Sequence, residues 1–369
     1  MDNYDKGVLL GRGTFASVFK ATHKETGKIV AIKKIDVGGS KEGINVTSLR
    51  EIKLLREIKS PYVVELLDVF PHKRKVNMVM EFLDSDLEAL IKAKGVLLSP
   101  SDVKAYMQML LKALADCHAH WVLHRDVKPN NMLISRDGSF KLADFGLARI
   151  YGSPDRQLTP QVFARWYRAP ELLFGSQSYG ASIDIWAAGC VFAELLLRKP
   201  WLPGMTDIDQ LGKIFQALGT PTKDNWPGVE ALPNYVPFQP VTPLPLRQQF
   251  PGAADDALEL LARMVALDPN RRPSAAEALR HPYFSSAPPP TPPERLPKPP
   301  LREDNPLAGP AAPALKVSRP PPAGGEVPSS KRAKLAGTPV GAAAAAASPA
   351  AASAAAAALR AAGTASPAG

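Results

Sequence analysis

The chain is 369 residues long and 45% hydrophobic, with 45 lysines and arginines against 35 aspartates and glutamates. This composition suits one large globular domain or two, and the mild basic excess favours phosphate-bearing or acidic partners without marking a nucleic-acid binder. Two distant cysteines, Cys117 and Cys190, argue against a disulfide framework or cysteine metal site; MDNYDKG lacks the apolar core of a signal peptide, and no apolar run reaches membrane-spanning length.

Taken in chain order, residues 4 to 35 alternate as strands do, with β-branched clusters at Val18-Phe19 and Lys28 to Ile35. Within them lies GRGTFASV, Gly11 to Val18, whose glycines, Gly11 and Gly13, let backbone amides approach phosphates; an ordinary hairpin turn fits equally well. Ala31-Ile32-Lys33 reads as a half-buried strand. A lysine there needs a carboxylate to hold it, and Glu51 in the next segment is a candidate, although spacing alone would also make it a surface acid. Leu49, Ile52, Leu55 and Ile58 fall at helical spacing, with Thr47 as the expected cap. Strand-like runs return at Val63 to Phe70 and Val76 to Phe82. From Ser101 the chain turns helical, through SDVKAYMQMLLKALADCHAH, IDIWAAGCVFAELLLR and DDALELLARMVAL. The expected fold is α+β with two lobes, a small β-rich lobe (4–82) carrying one key helix and a larger helical lobe (84–284). The last 85 residues hold 18 of the 38 prolines, together with alanine runs. Such a segment cannot bury enough apolar surface to offset its ordering entropy, so a disordered tail is predicted over 285–369.

Three motifs carry chemistry. HRDVKPNN, His124 to Asn131, places a carboxylate, Asp126, and an amide, Asn131, in one loop. Asp144-Phe145-Gly146 supplies a second aspartate suited to a hard cation. Ala169-Pro170-Glu171 follows, and between these lie two hydroxyl residues each preceding a proline, Ser153 and Thr159. In this order, after strands and before helices, the motifs stop being chance tripeptides.

Residues 4 to 284 thereby resemble a eukaryotic protein kinase, specifically a cyclin-dependent kinase. NVTSLREIKLLREI is similar to the cyclin-contacting helix of that family. Gly152-Ser153-Pro154, Thr159, Gln161-Val162 and RAPELLFGSQSYG resemble the activation segment of the branch that activates other cyclin-dependent kinases, and Phe163-Ala164-Arg165-Trp166 looks like its plant and green-algal members. The resemblance implies ATP and Mg²⁺ as cofactors. It implies that Lys33, paired with Glu51, contacts the nucleotide phosphates, that Asn131 and Asp144 ligate the metal, and that Asp126 is the base with Lys128 beside it. Leu10, Val18, Ala31 and Leu133 would sandwich adenine, with Met80 behind it; the backbone of Glu81 and Leu83 would bind its edge, and Asp86 the ribose. Thr159 would be phosphorylated and gathered by Arg50, Arg125 and Arg149, Ser153 would be a second phosphorylation site, and Val162 with Arg168 would accept a proline after the target residue.

The implied partners are an H-type cyclin, an assembly factor and a general transcription factor complex, with no direct nucleic acid or membrane. The implied substrates are other cyclin-dependent kinases and the Ser-Pro heptads of the RNA polymerase II tail. A basic cluster, Lys331-Arg332-Ala333-Lys334, suggests nuclear localisation. Two positions depart from the family pattern: Phe15 replaces an inhibitory tyrosine, and Ala164 replaces a threonine that bridges the catalytic Asp and Lys. A catalytically dead scaffold is the competing reading, disfavoured by intact Lys33, Asp126, Asn131 and Asp144. A mitogen-activated kinase is disfavoured because Gln161, not tyrosine, lies two residues beyond Thr159.

Overall fold

In the computed structural model, residues 3–12, 16–36, 46–72, 75–152, 158–162 and 164–299 are described. Gly13, Thr14, Phe15, Ser153, Phe163 and the Lys331–Lys334 cluster lie outside them, as does the predicted tail beyond residue 299.

Among the described residues, β1 (Tyr4–Arg12), β2 (Ala16–His23), β3 (Ile29–Asp36), β4 (Leu66–His72) and β5 (Lys75–Glu81) form one antiparallel sheet in the order β1-β2-β3-β5-β4. Because strand side chains alternate, β3 divides its residues between two faces. Val30 and Ile32 join Ala21 and Val79 in a small outer core, while Ile35 packs with helix α1 (Val46–Glu57). Lys33 shares that second face by parity. Ile52, Leu54, Leu55 and Ile58 are the buried stripe of α1, and Leu49 is left half-exposed on it. Thr47 is not the cap: the helix already includes Val46, so Thr47 sits inside its first turn. The run expected as a strand from Val63 begins at Leu66 instead, with Val63 making a single bridge to Leu142.

The larger lobe starts with β6 (Ser85–Asp86), α2 (Leu87–Lys92) and α3 (Pro100–Ala119). Ser99 and Asp102 close a reciprocal capping box on α3, and Pro100 supplies the preset first-turn φ. Short strands β7 (Val122–Leu123), β8 (Met132–Ile134), β9 (Phe140–Leu142) and β10 (Arg149–Ile150) then bracket the loops that carry the motifs. β6-β8-β9 form one small sheet, and β7 pairs with β10. Helices α4 (Pro170–Leu173), α5 (Ser182–Leu197), α6 (Asp207–Leu218), α7 (Leu246–Gln249), α8 (Asp255–Met264) and α9 (Ala275–Leu279) complete it. α5 is apolar all round, with Ile183 to Val191 buried, so it is the lobe's central helix.

The tail does not begin at Ser285. Residues 285–299 run over the large lobe, with Leu296 only 5% exposed and the Thr291 amide donating to Ser101 O at 3.1 Å. Proline richness prevents this segment from folding by itself, but it does not prevent docking onto a surface that α3 already provides.

One buried ion pair braces this lobe. Glu171, at the start of α4, accepts from both terminal nitrogens of Arg272 at 2.7 and 2.8 Å. Arg272 also donates to three carbonyls, of Ala266, Ser182 and Leu267, and stacks over Trp186. Removing one partner would leave an uncompensated buried charge. Arg272→Ala should therefore lower the unfolding free energy by about 3–5 kcal/mol, read from urea denaturation followed by circular dichroism.

Candidate active site

Lys33 joins three elements. Its Nζ, on β3, donates to Glu51 Oε1 of α1 at 2.7 Å and to Asp144 Oδ1 at 3.1 Å. Burial alone would lower the lysine pKa, but Asp144 and Glu51 overcome it and raise it, so Lys33 is cationic at neutral pH. The Lys33 ammonium holds the Asp144 carboxyl down at about 2, so that group is an anion. Burial raises the Glu51 pKa while Lys33 opposes it. The Glu51 side chain is 4% exposed, whereas Asp144 is half-exposed; the shared cation thus links a buried anchor to an accessible carboxylate.

Asp144 reaches that position through a left-handed backbone, φ 64° and ψ 72°. Aspartate tolerates this region better than most residues, yet such a conformation persists only where packing enforces it. Phe145 supplies the packing. It is 1% exposed and meets the His124 ring edge-on at 4.9 Å.

The HRD loop is held from below by Asp184 of α5. One carboxylate oxygen accepts from the His124 amide at 2.9 Å and hydrogen-bonds His118 Nε2 at 3.0 Å; the other accepts from the Arg125 amide at 2.9 Å. Burial would raise the Asp184 pKa, but the His118 bond and the Arg125 amide bring it below the usual value. Arg125 also has a positive φ, 64°. Asp184 therefore braces a strained turn whose purpose is to present the next residue, Asp126.

Asp126 is 7% exposed and accepts from Lys128 Nζ at 2.7 Å and Asn131 Nδ2 at 2.9 Å. Asn131 Nδ2 donates to the Asp126 carbonyl as well, at 2.8 Å. With both amide protons directed at Asp126, Asn131 Oδ1 is left as the oxygen donor of that side chain. Burial raises the Asp126 pKa and Lys128 counteracts it, leaving a carboxylate able to accept a proton. Ala164 has no hydroxyl to bridge this pair, and Lys128 reaches Asp126 directly.

Around this polar cluster, Leu10, Gly11, Val18, Ala31, Met80 and Leu133 are half-buried, and Leu83 is buried. The sheet register sets Val18 opposite Lys33 and Ala31 opposite Met80. A Cβ on Gly11 would meet nothing within 4 Å, so nothing in the packing demands glycine there. Two residues expected at the nucleotide also have structural work. Glu81 Oε1 accepts from Lys141 Nζ and the Glu65 amide, and Asp86 Oδ1 caps α2 through the Ala89 amide.

In the segment between motifs, Thr159 is exposed. The Tyr179 hydroxyl donates to its carbonyl at 2.5 Å and accepts from Arg125 Nη1 at 2.8 Å. Arg149 also acts electrostatically on Tyr179. Arg125 thus reaches the Thr159 carbonyl through Tyr179, a residue the sequence reading missed; Arg50 is half-buried on α1. Ser153 falls outside the described residues. Downstream, Arg168 Nε donates to Val162 O at 2.7 Å, and Asp207 anchors Arg168 and Arg165.

The structure adds Asp184, Tyr179 and Arg272 to the sequence-derived set. Asp184 had a readable signal, a lone acid inside the apolar run IDIWAAGCVF; an acid there must have internal partners.

A protein kinase domain model matches residues 4–284. The chain is 59% identical over 304 residues to cyclin-dependent kinase D-1 of Oryza sativa subsp. japonica, covering 82% of this chain and 72% of the relative. It is 52% identical over 303 residues to cyclin-dependent kinase 7 of Dictyostelium discoideum, covering 81% and 84%. Among solved structures, the CAK complex of Chaetomium thermophilum bound to ATP-γ-S superposes with a TM-score of 0.76 at 43% identity, covering 80% of this chain and 95% of that one. Since the matched span encloses the whole cleft, the chain belongs to the protein kinase family, and within it to the cyclin-dependent serine/threonine kinases of the branch that activates its own relatives.

Proposed function

We propose that this kinase is cyclin-activated and proline-directed, uses ATP with Mg²⁺, and phosphorylates the activation segments of other cyclin-dependent kinases and the Ser-Pro heptads of the RNA polymerase II tail. The observation that carries the reading is Lys33 held between Glu51 and Asp144 beside the Asp126–Lys128–Asn131 cluster.

Phosphoryl transfer leaves the protein mainly positioning and charge neutralisation. Lys33, fixed by Glu51, meets the α/β-phosphates. Asp144 and Asn131 offer a carboxylate and an amide oxygen, donors that fit Mg²⁺. Such a cation draws its remaining ligands from phosphates and water. When bound, Mg²⁺ supplies neutralisation of the phosphate oxygens. Asp126 accepts the hydrogen bond of the substrate hydroxyl and orients it towards the γ-phosphorus, while Lys128 offsets charge on the transferring group. Leu10, Val18, Ala31 and Leu133 enclose the adenine, the backbone of Glu81 and Leu83 reads its edge, and Asp86 meets the ribose.

Proline selection follows from Arg168. Its bond to Val162 O uses one lone pair of that carbonyl, so a substrate amide facing it would exchange its water partner for a weakened acceptor. Proline brings no amide proton and avoids that penalty, roughly 1–3 kcal/mol. The half-exposed Leu49 on α1 and the CAK assembly of the Chaetomium relative support a cyclin seated on that helix. An H-type cyclin, an assembly factor, a transcription factor complex and a nuclear location through Lys331–Lys334 complete the proposal. Thr159 is the activating phosphorylation site, its phosphate gathered by Arg50, Arg125 and Arg149, and the Arg125–Tyr179–Thr159 carbonyl chain supports this; Ser153 carries a second, tuning phosphate.

Asp126→Asn should lower kcat on a Ser-Pro peptide by about 10²–10⁴ while ATP affinity stays close to that of the unaltered kinase. Near-normal turnover would show that Asp126 is not the base and would overturn the assignment. With the cyclin bound, Thr159→Ala should reduce kinase activity or complex stability more than Ser153→Ala, and phosphate on Thr159 should slow proteolysis of the segment. Equal effects of the two substitutions would overturn this division of roles.

A further inference from the structure

Residues 285–299 form a strap held by two side chains of α3 besides the Thr291 amide bond to Ser101 O. The first is Lys104, 2% exposed, whose Nζ donates to Ser286 O and Pro288 O, both at 2.9 Å, and to Ser286 Oγ at 3.2 Å. The second is Asp102. Its Oδ2 closes the α3 capping box, accepting from the Ser99 amide at 2.8 Å and Ser99 Oγ at 2.7 Å. Its Oδ1 accepts from Thr291 Oγ1 at 2.6 Å. One carboxylate therefore serves the helix with one oxygen and the strap with the other.

Beyond Thr291 the strap leans on the turn between β8 and β9. The Pro293 carbonyl lies so close to Gly138 (φ 90°) that a Cβ there would overlap it, Leu296 is buried, and Lys298 Nζ donates to Arg136 O. The Arg136 amide in turn donates to Asp84 at 3.0 Å, two residues before Asp86.

Thr291 precedes Pro292, the dipeptide that proline-directed kinases modify. We propose that Thr291 is a phosphorylation site and that its phosphate releases the strap from the large lobe. In the modification, Thr291 Oγ bonds to the γ-phosphorus of ATP, the bond from that phosphorus to the β,γ-bridging oxygen breaks, ADP leaves, and the hydroxyl proton passes to the modifying kinase's base. The product has lost the donor that bound Asp102 and carries a charge near −2 against that carboxylate. Lys104 does not compensate, because its ammonium is already directed at Ser286 and Pro288. Like-charge contact at hydrogen-bonding distance forces separation, and Leu296 leaves its site with the chain.

The test uses the full chain carrying Asp126→Asn, so that its own activity contributes little beside that of the added kinase. It is incubated with an activated mitogen-activated protein kinase and MgATP, and Thr291 occupancy is mapped by mass spectrometry. Trypsin cleavage of the Arg295–Leu296 bond should rise about ten-fold or more on phosphorylation, since cleavage tracks the open population. Thr291→Val, which loses the donor without adding charge, should rise much less. Adding Asp102→Asn to the phosphorylated chain should restore protection, because a carboxamide can donate to the phosphate. No phosphate at Thr291, or full phosphate with unchanged cleavage, or no protection from Asp102→Asn, would each overturn the proposal.

Discussion

The structure turns on one cation shared between two carboxylates. Lys33 is fixed by its strand, Glu51 by the buried stripe of α1, and Asp144 by a left-handed turn pinned through Phe145. Burial works against charge on both Glu51 and Lys33, and each is supported as an ion by its opposite across the pair. The position of α1 is thus written into the electrostatics of the site, and any partner that moves α1 moves the counter-ion of Lys33.

The large lobe contributes a second buried carboxylate with the same logic. Asp184 accepts from two successive amides of the HRD loop and from His118, and so holds Arg125 in a strained conformation that aims Asp126 into the cleft. The two clusters meet where His124 packs on Phe145 and hydrogen-bonds Ala143 O. Arg125 extends the chain outward to Tyr179 and the Thr159 carbonyl. Asp126, Asp144 and Thr159 are therefore mechanically connected rather than merely adjacent.

Much of this was legible in the sequence because the chemistry sits in short motifs and the helices in clean periodicity. Lys33, Asp126, Asn131 and Asp144 stand out by motif and spacing, whereas the spacing of Glu51 would fit a surface acid equally well. The supports were harder to read because their partners are remote. Asp184 lies 59 residues from Arg125, and Arg272 lies 101 from Glu171; no local pattern pairs them. Thr47 failed as a cap because α1 already includes Val46. The strap failed for a different reason. Composition asks whether a segment can build its own core, whereas Leu296 and Thr291 use sites built by α3 and the β8–β9 turn.

The central claim is that Lys33 and Glu51 act as one unit, and a double-mutant cycle tests it most directly. For the cyclin-bound kinase, kcat/KM on a Ser-Pro peptide would be measured for Lys33→Met, Glu51→Gln and the double variant. If the pair acts as a unit, the double variant should be about as slow as the worse single one, with a coupling energy of about 1–3 kcal/mol. Losses that simply add would show that Glu51 does not work through Lys33, and would contradict the account.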